Sequence, residues 1–517
     1  MKPIPSAALV AGAIFAWAAL VPAPLAARGA PSDKKIYTFA KDVAPILYSK
    51  CAMCHHPGEV APFALMSYED ARNKAKTIAA VVEQKFMPPW QAVSHIEFSN
   101  DRTLTASQIA TLKAWADAGA PAGNLSAAPK PPTFTSDWHI GKPDFVGKPA
   151  KAYDVAAEGP DEYRCFVVPT NFSEDRYVTD VELRPGSRKV VHHILVYVDT
   201  SGGARKKDGK DGKPGYISFG GPGFDPAGTL GGWAPGLQPM SMPAGAGMWL
   251  PKGADIVLQV HYHKNGKPET DLSEIALKFA KTPVDKKVRW ESVGNVFMSL
   301  PPGEKRSEVT ADMVLATPLT LLDVIPHMHL LGHDMRVTAI LPDGSKRELI
   351  HVENYDFNWQ TRYTYKHAIK LPKGTHLALV AHYDNSTDNP HNPNSPPKQV
   401  HCGEQTTDEM CYAFFSFTLD DEHLQTGKKL GDSIAVPDKS DTFSRMFDRF
   451  DTPHAGSLDE TELTQFVSEY RPFANEFGGS KFNPGNVAGF LLGSYGKSVK
   501  GKLSKTEFVK MANDFSN

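Results

Sequence analysis

Two segments of this 517-residue chain share one pattern: LPKGADIVLQVHYHKNG at 250–266 and LPKGTHLALVAHYDNST at 371–387. Each sets a Pro-Lys-Gly turn before a run of β-branched, aromatic and histidine residues. Each follows a histidine-bearing stretch, VVHHILVYV in the first case and VIPHMHLLGHDM in the second. A repeat of this kind means one supersecondary unit made twice. From Trp138 to about Asp421, short β-branched and aromatic runs alternate with Gly/Pro turns, the signature of antiparallel β structure. We therefore expect two related all-β domains, 138–300 and 301–421, meeting near SLPPGEKR (299–306). The length of chain in each favours a jelly-roll sandwich over a simple barrel.

Each half carries its own histidines: His192, His193, His261 and His263 in the first, His327, His329, His333 and His382 in the second. A lone histidine in such a setting is usually a satisfied core residue; two clusters in matching units are not so easily set aside. On a strand, His327 and His329 point to one face and form a bidentate pair. His192 and His193 are adjacent and point oppositely on an ideal strand, so a shared metal needs a bulge or a strand end there. His261 and His263 have period two, so either could join. In HCGEQTTDEMC (401–411), Cys402 and Cys411 could close a disulfide around Met410. A thioether favours Cu(I) and imidazole suits both copper states, so two histidines with a methionine suggest redox-active copper, not zinc.

The ends of the β region differ in composition. YSKCAMCHHPG holds Cys51, Cys54 and His55, the C-x-x-C-H spacing that fixes a c-type haem through two thioethers and one axial imidazole. Zinc would need a second ligand pair nearby, and none follows. YTFAKDVAPILYSK, YEDARNKAKTIAAVVEQKFM and TASQIATLKAWADAGAP read as helices. The last has a capping box at Thr105 and Gln108, an apolar stripe of Ile109, Leu112 and Trp115, and an end at Gly119 and Pro121. Met87 in KFMPPW is the expected sixth iron ligand, with His95 as its main rival. Residues 36–121 thus resemble a class I c-type cytochrome, an all-α domain, and 122–137 read as a Pro/Ala/Ser linker.

Residues 1–27 read as a secretory signal peptide: Lys2, an apolar run from Ala7 to Leu20, and small residues before a cleavage point near Ala27. No later stretch is long and apolar enough to span a bilayer. The expectation is a periplasmic or secreted protein with no membrane span after cleavage, in a compartment where disulfides and c-type haem form. The net charge of −2 shows no basic patch, so nucleic acid is not an expected partner. A tail at 440–517 resembles a degenerate pair of EF-hands. Asp451, Asp459 and Glu462 are the acids that would hold calcium in the first loop. Pro453 and Ala455 stand where two more oxygens belong, so calcium is not an expected cofactor.

Taken in order, HH, LQVHY, H-x-H and DEMC resemble the type II, ascorbate-dependent copper monooxygenases, the family of peptidylglycine α-hydroxylating and dopamine β-monooxygenase. The resemblance covers roughly 155–420 and takes in DEYRCFVVP near its start. It implies two copper ions: an electron-transferring one on His192, His193 and His261, and an O2-binding one on His327, His329 and Met410, the catalytic set. It implies two jelly rolls facing a solvent-filled cleft, with O2 and a small-molecule or peptide-like substrate as partners. Electrons would come from ascorbate or a periplasmic donor, and here also through the fused haem. This chain departs from animal members in having few cysteines, and His263, His333 and His382 have no assigned role. A haem- and copper-bearing electron-transfer or copper-binding protein without substrate chemistry is the alternative.

Overall fold

The computed structural model describes residues 35–515 apart from 60, 135–137, 219–220, 404, 432–433, 435–439, 452–454 and 470–482. The expected signal peptide, 1–27, lies outside the described residues. No described helix is long and apolar enough to cross a membrane.

The N-terminal unit is helical. A π turn at Phe39–Val43 leads into Ala44–Lys50, followed by Tyr68–Asn73, Ala75–Glu83 and Ala106–Asp117. The stretch read as one helix from Tyr68 is two, broken at Lys74, whose backbone leaves the helical range (φ −115°, ψ 9°). The Thr105–Gln108 capping box is present in both directions, which satisfies two amide groups that a helix start leaves open. Leu47, Leu112 and Trp115 are fully buried at the centre of the unit. The chain read as a free linker is partly tied down. Pro121 and Ala122 accept backbone bonds from Phe39 and Ala40, and Phe134 stacks on His56 at 3.7 Å.

Between Met87 and Thr105 the chain leaves its helices and lies along the second β domain as a strap. Ala92 bridges Val352 and Phe98 bridges Tyr365. Val93 N–H donates to the His351 carbonyl at 2.8 Å, and Ser99 N–H to that of Thr364 at 2.9 Å. Phe98 is buried against Tyr363 and Tyr365, and the Trp90 ring packs edge-on against Tyr363. Burying an aromatic ring of this size contributes about 2 kcal/mol, so the helical unit is docked, not hung on a tether.

The β region forms two sandwiches. In the first, a five-stranded sheet carries Glu162–Pro169, Val191–Asp199, Gly228–Trp233 and Asp255–Tyr262. In the second, a four-stranded sheet carries Ser307–Val314, Gly332–Ile340, Lys346–Glu353 and His376–Tyr383. The opposite layer of both is one continuous nine-stranded sheet. Its join is the short parallel pairing of Ala246–Leu250 with Lys286–Gly294. Each sandwich has its own apolar core between its two layers. The two echo segments take equivalent positions, as the strands Asp255–Tyr262 and His376–Tyr383. The crossover comes earlier than the expected boundary near residue 300, because Lys286–Gly294 already pairs along its length with Tyr412–Leu419 of the second sandwich.

The C-terminal tail folds as helices Ser440–Phe450, Glu460–Glu469, Pro484–Tyr495 and Lys505–Phe515. Two loops pair through Ser457–Leu458 and Leu503–Ser504. Phe447, Phe466 and Phe508 fill its centre, and Phe297 from the second sandwich joins them.

Candidate metal centre

The first histidine cluster is assembled by a bulge. Strands Val191–Asp199 and Asp255–Tyr262 run in register until His261 faces His193; the next pair is Tyr262 with Val191. His192 is therefore the extra residue, and the bulge turns it to the same side as its neighbour. His192, His193 and His261 each offer a ring nitrogen within 4.8 Å of the others. The Nδ1 atoms of His192 and His193 are 3.2 Å apart. His261 donates from Nε2 to Asp161 at 3.0 Å, so its Nδ1 carries a lone pair. That Nδ1 is buried with no hydrogen-bond partner. A buried polar atom without a partner is costly, and a cation among the three nitrogens removes the cost. Burial pushes the His192 imidazole down to about 3 and that of His193 far below its ordinary value, helped by the neighbouring rings. Both stay neutral, the form that binds metal.

Asp161 orients this cluster. Burial alone would raise its pKa, but bonds from His261 and Thr406 outweigh that and hold the carboxyl well below the usual range. Its other oxygen accepts from His263 at 2.9 Å. His263 therefore sits one shell out from the cluster, bound to the group that orients a ligand.

The second cluster stands at a strand end. His327 is the last residue of strand Leu319–His327, and His329 lies beyond it in a turn closed by Gly332 N–H on the His329 carbonyl. The expected one-face strand pair is thus corrected. The two imidazoles converge because the chain turns, with their rings perpendicular and 5.2 Å apart. His327 donates from Nδ1 to Gln360 at 3.0 Å, leaving its Nε2 3.2 Å from the Met410 sulfur. His329 donates from Nδ1 to the Asp408 carbonyl at 3.1 Å, leaving its own Nε2 basic. Lone pairs of nitrogen and sulfur facing each other repel unless a cation lies between them. Burial holds His327 down to about 3 and His329 to about 4.

Glu409, fully buried, holds the turn. It accepts from the backbone N–H groups of His329 (2.8 Å), Leu331 (2.6 Å) and Met410 (3.2 Å). Burial pushes its pKa up to about 8 even against these bonds. Cys402 and Cys411 are held as two thiols, not as the expected disulfide. The loop is closed instead by backbone, Gly403 N–H on the Glu409 carbonyl at 3.0 Å and Glu409 N–H on that of His401 at 3.1 Å.

His193, His261, His327, His329 and Met410 all line one cavity of about 430 Å³. Phe357 separates the clusters, stacked on His192 at 4.8 Å and edge-on to His329 at 5.3 Å. Trp233, Trp290, Ile325 and Phe414 are among the apolar residues of the remaining wall. Arg362, the cationic side chain of the lining, is buried with its Nη2 on the Gln238 carbonyl at 2.8 Å.

In the helical unit, Cys51, Cys54 and His55 share one turn: Cys54 N–H and His55 N–H both donate to the Cys51 carbonyl. His55 donates from Nδ1 to the Phe63 carbonyl at 3.0 Å, which leaves Nε2 as a ligand atom. Met53 and Phe86 present exposed apolar side chains close in sequence to this turn and to Met87. Two thiols and an oriented imidazole at this spacing fit a covalently held haem. Met87 is half-buried, its N–H on the Val81 carbonyl; no contact recorded among the described residues joins it to His55. The rival His95 is exposed on the strap.

Other expected residues lie apart. His333 and His382 share Asp334, at 2.9 and 2.7 Å, outside the cavity lining. In the tail, Asp451 accepts from Ala455 and Gly456 N–H, while Asp459 and Glu462 cap the helix that follows.

Asp161, Gln360, Phe357 and Glu409 escape a sequence reading. Only two left a trace: Asp161 opens the DEYRC stretch, and Glu409 is the second acid of DEMC.

Residues 294–433 match the family model described as copper type II ascorbate-dependent monooxygenase, C-terminal domain. The match contains His327, His329 and Met410 and supports copper and oxidoreductase chemistry; it stops short of His192, His193 and His261. No curated protein matches the chain. Solved structures with partial similarity include the major capsid protein P2 of bacteriophage PM2, at 12% identity, covering 53% of this chain and 97% of that one with a TM-score of 0.21. Another is the cowpea mosaic virus top component, at 8% identity, 53% and 89% coverage and a TM-score of 0.22. Superpositions this loose carry no argument.

Proposed function

We propose that this protein is a copper-dependent monooxygenase that places one oxygen atom of O2 into a C–H bond of its substrate and reduces the other to water, consuming two electrons and two protons. The observation that carries the reading is that two donor sets of different softness, three imidazoles and two imidazoles with a thioether, border one apolar cavity, the first through His193 and His261 and the second through His327, His329 and Met410. Copper held by these sets would supply two one-electron equivalents and the activation of O2, with the thioether-bearing set as the O2 side. The chain's own groups do the rest. Asp161 and Gln360 fix the tautomers of His261 and His327. Glu409 holds the turn that presents His329 and Met410. The aromatic walls exclude water and suit an apolar C–H donor, which the buried Arg362 does not select by charge.

The electron supply in this reading is ascorbate, a periplasmic one-electron donor, or a haem c carried on Cys51, Cys54 and His55, with Met87 as its sixth ligand. Residues 1–27 export the chain to the periplasm or beyond. No calcium is assigned to the tail, where the acids are engaged with backbone.

Turnover under ¹⁸O2 with the copper-loaded protein and a panel of apolar C–H donors tests the reaction. One labelled oxygen per product is expected. Product oxygen drawn from water, or copper that cycles between oxidation states without any product, would return the chain to an electron carrier.

A further inference from the structure

We propose that electrons reach the first histidine cluster across the contact between the Cys51–His55 turn and strand Gly228–Trp233, with Glu59 and Arg188 as the pair that sets this contact. The inference rests on the haem reading above. Arg188 meets Glu59 with both ends of its guanidinium, Nη1 on Oε2 and Nη2 on Oε1, each at 3.1 Å. Such a two-point bond fixes orientation as well as distance. Glu59 follows the C-x-x-C-H turn closely in sequence; Arg188 lies just before the strand that carries His192 and His193. The Arg188 guanidinium also lies 5.6 Å from the Trp233 ring centre.

Met53, Cys54 and Glu59 on one side, and Arg188, Gly232 and Trp233 on the other, line one cavity between the two units. Trp233 borders this cavity and the large one that holds both histidine clusters. Its backbone pairs with Ile194, the residue after His193. A largely buried indole and one antiparallel ladder thus connect the haem-binding turn to the first cluster. A second tie, Arg102 Nη2 on the Gly236 carbonyl at 2.8 Å, holds the segment just after this strand.

The step moves one electron and no atoms. A haem held on Cys51, Cys54 and His55 would give up one electron, its iron going from ferrous to ferric, and copper held by His192, His193 and His261 would take it, going from Cu(II) to Cu(I). The reductant at the haem is ascorbate or another one-electron donor. Electron transfer through protein falls steeply with the width of the gap, so a pair that holds the turn against the strand governs the rate without touching either metal. The strap of residues 88–103 anchors the helical unit to the second sandwich independently, so loss of the pair loosens this contact and leaves the chain folded.

The test uses the full chain loaded with haem and copper, as wild type, E59R, R188E and the swap E59R/R188E. The haem is reduced anaerobically by a flash, and its reoxidation by Cu(II) is followed by absorbance and by loss of the Cu(II) EPR signal. Each single change is expected to slow this transfer on the order of tenfold, and the swap to recover most of it, as a coupled pair requires. Haem content and the resting Cu(II) spectrum stay as in wild type. Unchanged rates in fully loaded single variants, or a swap as slow as either single, overturn the inference and leave the copper reading intact. A wild-type chain that takes up copper but carries no haem overturns the haem reading and this inference with it.

Discussion

Glu409 is a buried acid whose work is to hold backbone. Its three amide donors belong to His329, Leu331 and Met410, so one carboxylate fixes the geometry of a ligand turn and of the thioether beside it. Truncation to alanine strands those donors, each costing on the order of 1–3 kcal/mol when left unmade in the interior. We expect Glu409→Ala to lower the thermal midpoint and to reduce copper binding from two ions per chain to one, with the ion on His192, His193 and His261 retained. Two ions held with wild-type affinity would contradict this role. The sequence made the clustered histidines legible and their supports nearly invisible. Adjacent histidines on a strand can share a metal only through a bulge or at a strand end, and at His192 and His193 the structure has the bulge. His327 and His329 were read as a strand pair because spacing says nothing about where a strand ends. Asp161, Gln360 and Phe357 follow no periodicity, and their partners are far away in sequence.

At the scale of elements, the strap and the tail are the parts least visible beforehand. WQAVSHIEFSN lacks the strict alternation of a core strand, and its pairing with Val352 and Tyr365 depends on residues more than two hundred positions away. The strap makes Phe98 a core residue of a domain it does not belong to in sequence. Phe98→Ala should cost about 3 kcal/mol, at the low end for a buried ring, and calorimetry of the full chain should show the second sandwich melting earlier. A change confined to the helical unit would refute the docking. The tail's glycine and acid spacing suggested paired loops, and the structure pairs Ser457–Leu458 with Leu503–Ser504. Glu507 accepts from Lys497 and Ser498 N–H and from Ser504, closing its loop with protein donors. Burial opposes ionisation, but the bonds from Ser504 and Ser498 outweigh it and lower this carboxyl to about 2. A depressed pKa stabilises the fold above the ordinary carboxylate range, near 4.5, and the effect fades as pH falls toward about 2. Glu507→Gln should therefore flatten the acid limb of the stability profile in urea titrations. Parallel profiles for the two proteins would refute the assignment.

At the scale of the molecule, the echo of two LPKG segments pointed to two β units, and the structure has two apolar cores between its sheets, each with a histidine cluster beside it. What the repeat could not reveal is that the units share a layer. Pairing of Ala246–Leu250 with Lys286–Gly294 depends on two residues of register, a contact too short to leave a pattern. Its consequence reaches past the architecture. Two sandwiches that share a sheet layer are coupled through that join, so the strands that carry the two clusters belong to one framework and not to two separate bodies. The same join makes each half a poor candidate for life alone. Cut at the crossover, either piece would present a raw sheet margin to solvent, the surface on which strands recruit strands and chains aggregate.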